Sequence, residues 1–141
     1  MNPYSNRTVL RLLPPENREG KHWDILAVAI VRLVLRGAMI RVSVMYPNKQ
    51  GSHFDIDYYC TKHIPMVRGL LGAALLRVDV EEGISGATPD SPAAFLAIAH
   101  LSFESVDAFQ KAFAPHAAQI RGDVPNYTDS TASIQISNVK I

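Results

Sequence analysis

Residues 93–103 read AAFLAIAHLSF, and the architecture of the chain is predicted mainly from them. As a β-strand it carries a first set of residues on one face: Phe95, Ala97, Ala99, Leu101 and Phe103. The opposite face then carries Leu96, Ile98, His100 and Ser102. A strand that is apolar on both sides is usually covered on both sides. The sequence therefore predicts a central strand with something packed against each face of its sheet.

The segments around this strand predict three more strands and two helical regions. Alternation of apolar and polar residues indicates strands over 40–46, 76–81 and 134–141, and the last changes phase at Ser137-Asn138, which predicts a bulge. Helical spacing covers 54–72, with Asp55 as a cap or first-turn acid and Gly72 at the end. Pro65 should divide this helix into two pieces, because proline cannot donate the internal hydrogen bond. Ser105 can cap a second helical region that runs to about residue 120.

The order β-α-β-β-α-β is that of an α+β, ferredoxin-like fold with an antiparallel sheet. Two helices cover one face of such a sheet. The other face still carries apolar residues on its central strand, so it needs a cover. A second copy of the chain, packed sheet against sheet, is the simplest one. We therefore expect a homodimer that forms through the sheet face.

The composition excludes several classes of protein. The chain has 141 residues, 48% of them hydrophobic, and a net charge of +1 without a basic block, which argues against nucleic acid or an anionic membrane as a partner. Its single cysteine, Cys60, cannot form an intramolecular disulfide, which suits a cytoplasmic protein. No GxGxxG or Walker A loop occurs, and the five histidines form no helical metal-binding pair. Neither a cofactor nor a metal is expected from these patterns.

Residues 1–38 differ from the rest, and the predicted domain is 39–141. The apolar run 25–31 is followed by Arg32, is too short for a transmembrane helix, and lacks the order of a secretory signal. One interpretation is that translation starts at Met39, immediately before the first strand. The other is a short apolar helix over about 24–35 that packs on the domain.

The densest cluster of chemically useful side chains is 55–65, DIDYYCTKHIP. Asp55, Tyr59 and His63 are spaced at i, i+4 and i+8, so they share one face of a helix that continues to His63. Imidazole titrates near neutrality and a phenol can donate a hydrogen bond, so Tyr59 and His63 can form a proton-transfer pair. The spacing alone favours a structural role, in which His63 caps the helix before Pro65 and Tyr59 packs its ring.

Other candidates stay open. His100 can be a buried structural histidine, a pocket base or a dimer contact. His116 follows a proline at the start of a helical turn, where surface capping is the simpler interpretation. The stretch 122–128, GDVPNYT, could cover a cleft between helices and sheet or could be an ordinary connector.

Four stretches together resemble the EthD family: 39–48 (MIRVSVMYPN), 54–65 (FDIDYYCTKHIP), 109–116 (FQKAFAPH) and 125–129 (PNYTD). The resemblance implies a dimeric α/β-barrel, and residues 1–38 have no counterpart in it. It raises His63 and Tyr59 to candidate catalytic residues. The candidate substrate contacts are Tyr46, His100, His116 and Tyr127.

The resemblance implies a protein that binds and transforms a small apolar or aromatic metabolite in catabolism, such as xenobiotic degradation. Its chemistry would be cofactor-independent proton transfer or oxidation. Members are often labelled reductases, and relatives on this fold include isomerases, decarboxylases and monooxygenases, so the fold does not decide the reaction. The alternative is a non-catalytic accessory protein that binds a ligand for an oxygenase system. Haem bound through one histidine is a third hypothesis.

Overall fold

The computed structural model describes residues 39–141. Four strands form one antiparallel sheet: β1 (Ile40–Pro47), β2 (Arg77–Glu82), β3 (Phe95–Phe103) and β4 (Ser133–Asn138). Their order in space is β2-β3-β1-β4, so β3 and β1 are central and each has two partners. The predicted order of elements and the ferredoxin-like fold are confirmed.

The first helical region connects β1 to β2. It consists of α1 (Ile56–Tyr58), a π-helical turn (Tyr59–His63), α2 (Ile64–Leu71) and a 3-10 turn (Gly72–Ala74). The carboxylate of Asp55 accepts a hydrogen bond from the backbone N–H of Tyr58 at 2.9 Å, so the predicted cap is confirmed. Gly72 ends α2 with a φ of +58°, a backbone conformation that glycine adopts without steric cost.

Pro65 does not divide the helix, so the prediction of two separate pieces is wrong. The helical run is continuous from Ile56 to Leu71 and changes its winding at 59–63 instead. The backbone N–H of Ile64 donates to the carbonyl of Tyr59, five residues back. A π turn is wider than an α turn, which gives the proline ring room beside the carbonyl of the preceding turn.

The second helical region connects β3 to β4. It contains α3 (Val106–Phe113), a 3-10 turn (Ala114–His116), α4 (Ala117–Gly122) and a final 3-10 turn (Val124–Asn126). Ser105 Oγ accepts a hydrogen bond from the backbone N–H of Ala108 at 3.0 Å, which confirms this cap. The bulge predicted at Ser137-Asn138 is wrong, because β4 pairs with β1 in unbroken register and ends at Asn138.

The helices cover one face of the sheet, and the hydrophobic core lies between them. Residues on this face pair across the two central strands, with Val42 opposite Leu101 and Val44 opposite Ala99. Successive residues of a strand point to opposite faces, so Ser43 and its partner His100 lie on the uncovered face. The buried hydrophobic residues of the covered face and helices include Ile40, Val42, Tyr46, Tyr59, Val67, Leu71, Ala97, Ala99, Phe103 and Tyr127.

No helix within residues 39–141 is long and apolar enough to cross a membrane. The interpretations of residues 1–38, a start at Met39 or a short apolar helix, concern residues outside those that the structure describes.

The Ser105 cap gives a test of the second helical region. Ser105→Ala removes the only side-chain acceptor that caps α3 and should lower the free energy of unfolding by about 1 kcal/mol. Ser85→Ala, in the exposed loop between β2 and β3, is the matched control and should change it by less than about 0.5 kcal/mol. Urea denaturation followed by circular dichroism measures both. Equal effects of the two substitutions would contradict a capping role.

Candidate active site

A cavity of about 680 Å³ lies between the covered face of the sheet and the helices. This volume is in the range of sites that bind small organic molecules. Its wall is mostly aliphatic and aromatic, contributed by β1, α2, α3, α4 and the segment before β4. The lining residues include Val42, Val44, Tyr46, Tyr59, His63, Val67, Phe109, Phe113, Ile120, Arg121, Tyr127 and Ile134.

His63 is the titratable base of this cavity. It ends the π-helical turn, is only 4% exposed, and its Nδ1 lies 2.8 Å from Oδ2 of Asp123. A carboxylate accepts hydrogen bonds and cannot donate them, so Nδ1 carries the proton. Nε2 is then the unprotonated nitrogen, with a lone pair that can accept a proton. The Tyr127 hydroxyl lies 3.5 Å from Nε2, which is the outer limit of a hydrogen bond.

Asp123 is held by two further donors. The hydroxyl of Tyr58 donates to Oδ1 at 2.8 Å, and Nδ2 of Asn126 donates to the same oxygen at 2.9 Å. Burial tends to raise the pKa of Asp123, but the hydrogen bonds from Asn126, His63 and Tyr58 outweigh it and lower the pKa overall. Asp123 therefore stays ionised at neutral pH and keeps the orientation of the imidazole.

The pKa of His63 is lowered from its ordinary value. Burial is the main cause, and the hydrogen bond and charge of Asp123 offset it in part. The histidine is therefore neutral at neutral pH, which is the protonation state of a general base. A base of this kind loses its function as the pH falls, because protonation of Nε2 removes the lone pair.

Two buried tyrosines pack against His63, and a third, Tyr46, packs against both of them. The ring of Tyr59 stacks on the imidazole with centroids 5.1 Å apart, and Tyr127 approaches it at 4.6 Å. The hydroxyls of Tyr46 and Tyr127 are 2.8 Å apart, and Phe54 completes the aromatic cluster. Burial raises the pKa of all three phenols, so they stay protonated at neutral pH and serve as hydrogen-bond donors.

The structure brings four of the six predicted site residues together: Tyr46, Tyr59, His63 and Tyr127. The two others do not line the cavity. His100 projects from the uncovered face of the sheet, because its neighbours on β3, Ala99 and Leu101, face the helices. Its Nδ1 lies 2.8 Å from Ser43 Oγ. His116 ends a 3-10 turn between α3 and α4, outside the cavity wall.

Sequence reasoning missed Asp123, the partner of the key histidine, together with Tyr58 and Asn126. All three belong to the two stretches rich in polar and aromatic residues, 55–65 and 122–128. The available signal was chemical, because a histidine that acts as a base needs a group that fixes its tautomer. The stretch 122–128 therefore does more than connect two elements or cover a cleft, because it supplies Asp123 and Tyr127 to the site.

Haem iron fits His63 poorly. An iron atom on His63 would have to bind Nε2, and the Tyr127 hydroxyl lies 3.5 Å from that nitrogen inside the aromatic cluster. Tyr127 is 1% exposed and would have to leave its place. Within residues 39–141 no group of three histidine, cysteine, aspartate or glutamate side chains is arranged to hold a metal ion.

The fold and the site together describe a small α+β protein with an aromatic cavity and a buried histidine that is paired with an aspartate. The EthD domain model matches residues 52–131, and the chain belongs to the EthD family. An EthD-like protein from Ralstonia eutropha is 42% identical, with a TM-score of 0.72 over 74% of this chain and 94% of that one. An ethyl tert-butyl ether degradation (EthD) family protein from Bacillus halodurans is 14% identical, with a TM-score of 0.56 over 72% and 98%. The comparison with curated proteins gives no match.

The pKa of His63 tests the role of Asp123. Asp123→Asn removes the negative charge that raises this pKa, so burial should lower it further than in the wild type. NMR titration of labelled histidine side chains measures the change. Asp129→Asn is the control, because Asp129 is exposed and its carboxylate accepts from the backbone of His53 instead. An unchanged or higher His63 pKa in Asp123→Asn would contradict the assigned pairing.

Proposed function

We propose that the protein catalyses proton transfer on a small apolar or aromatic molecule in this cavity, with His63 as the general base. The observation that carries the proposal is the hydrogen bond of 2.8 Å between His63 Nδ1 and Asp123. It fixes the proton on Nδ1 and leaves Nε2 as the acceptor. Substrates of this kind carry an acidic O–H group, or a C–H group next to a carbonyl.

The burial of the base supports the same proposal. His63 is neutral and nearly enclosed by apolar walls, so little water competes for its lone pair. The carboxylate of Asp123 stabilises the imidazolium that forms when Nε2 takes the proton. This charge interaction is stronger than in bulk water because the imidazole is buried.

The tyrosines supply the complementary donor. Removal of a proton next to a carbonyl leaves negative charge on the carbonyl oxygen. The rings of Tyr59 and Tyr127 both pack against the imidazole and against each other, with centroids 4.6 to 5.1 Å apart, and the protonated Tyr127 hydroxyl lies 3.5 Å from Nε2. A phenol that keeps its proton can donate a hydrogen bond to that oxygen and stabilise the enolate.

Hydrogen–deuterium exchange into 2-tetralone, a neutral apolar ketone, tests proton abstraction directly. We expect the wild-type chain to accelerate exchange next to the carbonyl and His63→Gln to reduce the acceleration by at least about 100-fold, the usual contribution of a general base. The rate should stay level near neutral pH and fall at acidic pH as His63 becomes protonated. Proton NMR in buffered D₂O measures the rate.

His116→Gln is the matched control, because this histidine lies outside the cavity wall and should leave the rate unchanged. Circular dichroism verifies that each variant is folded. If the wild type gives no acceleration, or if His63→Gln keeps full acceleration, the general-base proposal is wrong. Binding of the ketone without exchange would favour the alternative, an accessory protein that binds its ligand and transforms nothing.

We also propose that two copies of the chain associate through the uncovered sheet face. This face carries the half-buried apolar residues Met45, Leu96 and Ile98 on the two central strands. It also carries charges of both signs, with Arg77 donating to the carboxylate of Asp79 at 2.7 Å. Apolar central positions flanked by complementary charges suit a self-complementary interface.

An unsatisfied donor on this face supports the association. Nε of Arg41 is buried and has no hydrogen-bond partner within the part of the chain that the structure describes. A buried guanidinium nitrogen without an acceptor is costly, so an acceptor is expected to reach it. The acidic side chains Asp79 and Glu81 stand on the same face, and those of a second copy could approach Arg41.

Sedimentation velocity at micromolar concentration tests the interface. The wild-type chain should sediment as a dimer, and Ile98→Asp should sediment as a monomer, because it places two unpaired charges in the contact. Ile84→Asp is the control, since Ile84 is 94% exposed in the loop between β2 and β3 and should leave the dimer intact. A monomeric wild type, or a dimer that survives Ile98→Asp, would contradict the proposed face.

A further inference from the structure

The wall of the cavity carries a single permanent charge. Among the described residues that line it, aliphatic and aromatic side chains predominate, and Arg121 is the only lysine, arginine, aspartate or glutamate. His63 is the one other titratable nitrogen, and it is neutral. Arg121 is exposed, so its charge is hydrated while its side chain borders the apolar wall.

Arg121 is held against the wall by an aromatic ring. It lies in the last turn of α4, and its guanidinium carbon is 5.7 Å from the ring centroid of Phe113, which also lines the cavity. A guanidinium that rests on an aromatic face keeps its N–H groups available at its edge. The contact therefore favours this position of Arg121 without using its hydrogen-bond donors.

The acidic group closest in sequence is already committed. Asp123 accepts hydrogen bonds from His63, Tyr58 and Asn126. No described ion pair or side-chain hydrogen bond within residues 39–141 uses Arg121, whereas Arg77 and Lys111 each have an acidic partner. Among the described residues that line the cavity there is no carboxylate to pair with Arg121.

The two charges act differently on an anionic group. The carboxylate of Asp123, hydrogen-bonded to Nδ1 of His63, disfavours an anion beside the imidazole. The exposed guanidinium of Arg121 attracts one. A molecule with an apolar body and one carboxylate is therefore expected to place its carboxylate at Arg121 and its uncharged part against the apolar wall and His63.

We propose that the substrate is an apolar carboxylate, whose hydrocarbon part fills the cavity while its carboxylate pairs with the guanidinium of Arg121. The orientation toward His63 rests on the proton-transfer function proposed above, whereas the charge pairing does not. Arginine presents its N–H groups as a planar fork that matches the two oxygens of a carboxylate. Arg121 would accordingly determine which molecules bind, without taking part in proton transfer.

A pair of probes that differ only in charge tests this proposal. Calorimetry with the 141-residue chain compares 2-naphthoate with 2-naphthamide, which has the same ring system and no charge. The wild type should bind naphthoate at least about 10-fold more tightly, the effect of a hydrogen bond to a charged group. Decanoate and decanamide repeat the comparison with an acyclic hydrocarbon and show which shape the cavity accepts.

The substitution Arg121→Met should remove the preference for the carboxylate and leave amide binding unchanged. Arg121→Lys keeps the charge but loses the planar fork, so it should retain part of the preference. Arg68→Met is the matched control, because Arg68 is exposed on α2 and does not line the cavity. It should bind both probes like the wild type.

The proposal fails if the wild type binds the carboxylate and the amide equally. It also fails if the wild type binds none of the four probes. A third result against it would be that Arg121→Met still prefers the carboxylate to the amide. None of these results depends on His63, and His63→Gln should keep the preference for naphthoate. A negative result here therefore leaves the exchange test with 2-tetralone untouched, and the reverse also holds.

Discussion

The hydrogen bond between His63 Nδ1 and the Asp123 carboxylate is the interaction on which the site depends. It joins the π-helical turn of the first helical region to the end of the second, 60 residues away in sequence. Because the carboxylate can only accept, one contact settles the tautomer, the direction of the lone pair and the location of negative charge. Tyr58 and Asn126 keep that carboxylate ionised and in place.

The rest of the cavity follows from this arrangement. A neutral base needs burial, and burial in turn keeps the surrounding tyrosines protonated, so acceptor and donors coexist at one pH. The carboxylate behind the base sets the electrostatic direction of the cavity. Arg121, which also lines the cavity, carries the opposite charge. These polar groups add chemical selectivity to an apolar wall that would otherwise distinguish molecules only by their shape.

The two faces of the sheet divide the functions of the chain. Because strand residues alternate, Val42, Val44 and Tyr46 face the helices and the cavity, while Ser43 and His100 face away. The uncovered face combines apolar central positions with charges of both signs and the unsatisfied Arg41 Nε. A single alternating pattern on β1 and β3 therefore produces a ligand cavity on one side and a surface suited to association on the other.

The amino-acid sequence by itself determined the elements and their order. Alternation located the strands, Asp55 and Ser105 marked helix starts, and Gly72 marked a helix end, because these signals act between residues close in the chain. The spacing of Tyr59 and His63 likewise predicted neighbours on one helix. The local rule for proline predicted a helix break at Pro65, and this prediction is wrong because a π turn accommodates the proline.

Only the tertiary structure decided the partner of His63, the meeting of Tyr46 with Tyr127 across 81 residues, and the absence of His100 from the cavity. These contacts join segments that are far apart in the chain, where the residue spacing of helices and strands gives no information. They arise when the helices pack on one particular face of the sheet, and that choice depends on the burial of the whole core. Asp123 looks like a residue of an ordinary turn until that packing brings it to the imidazole.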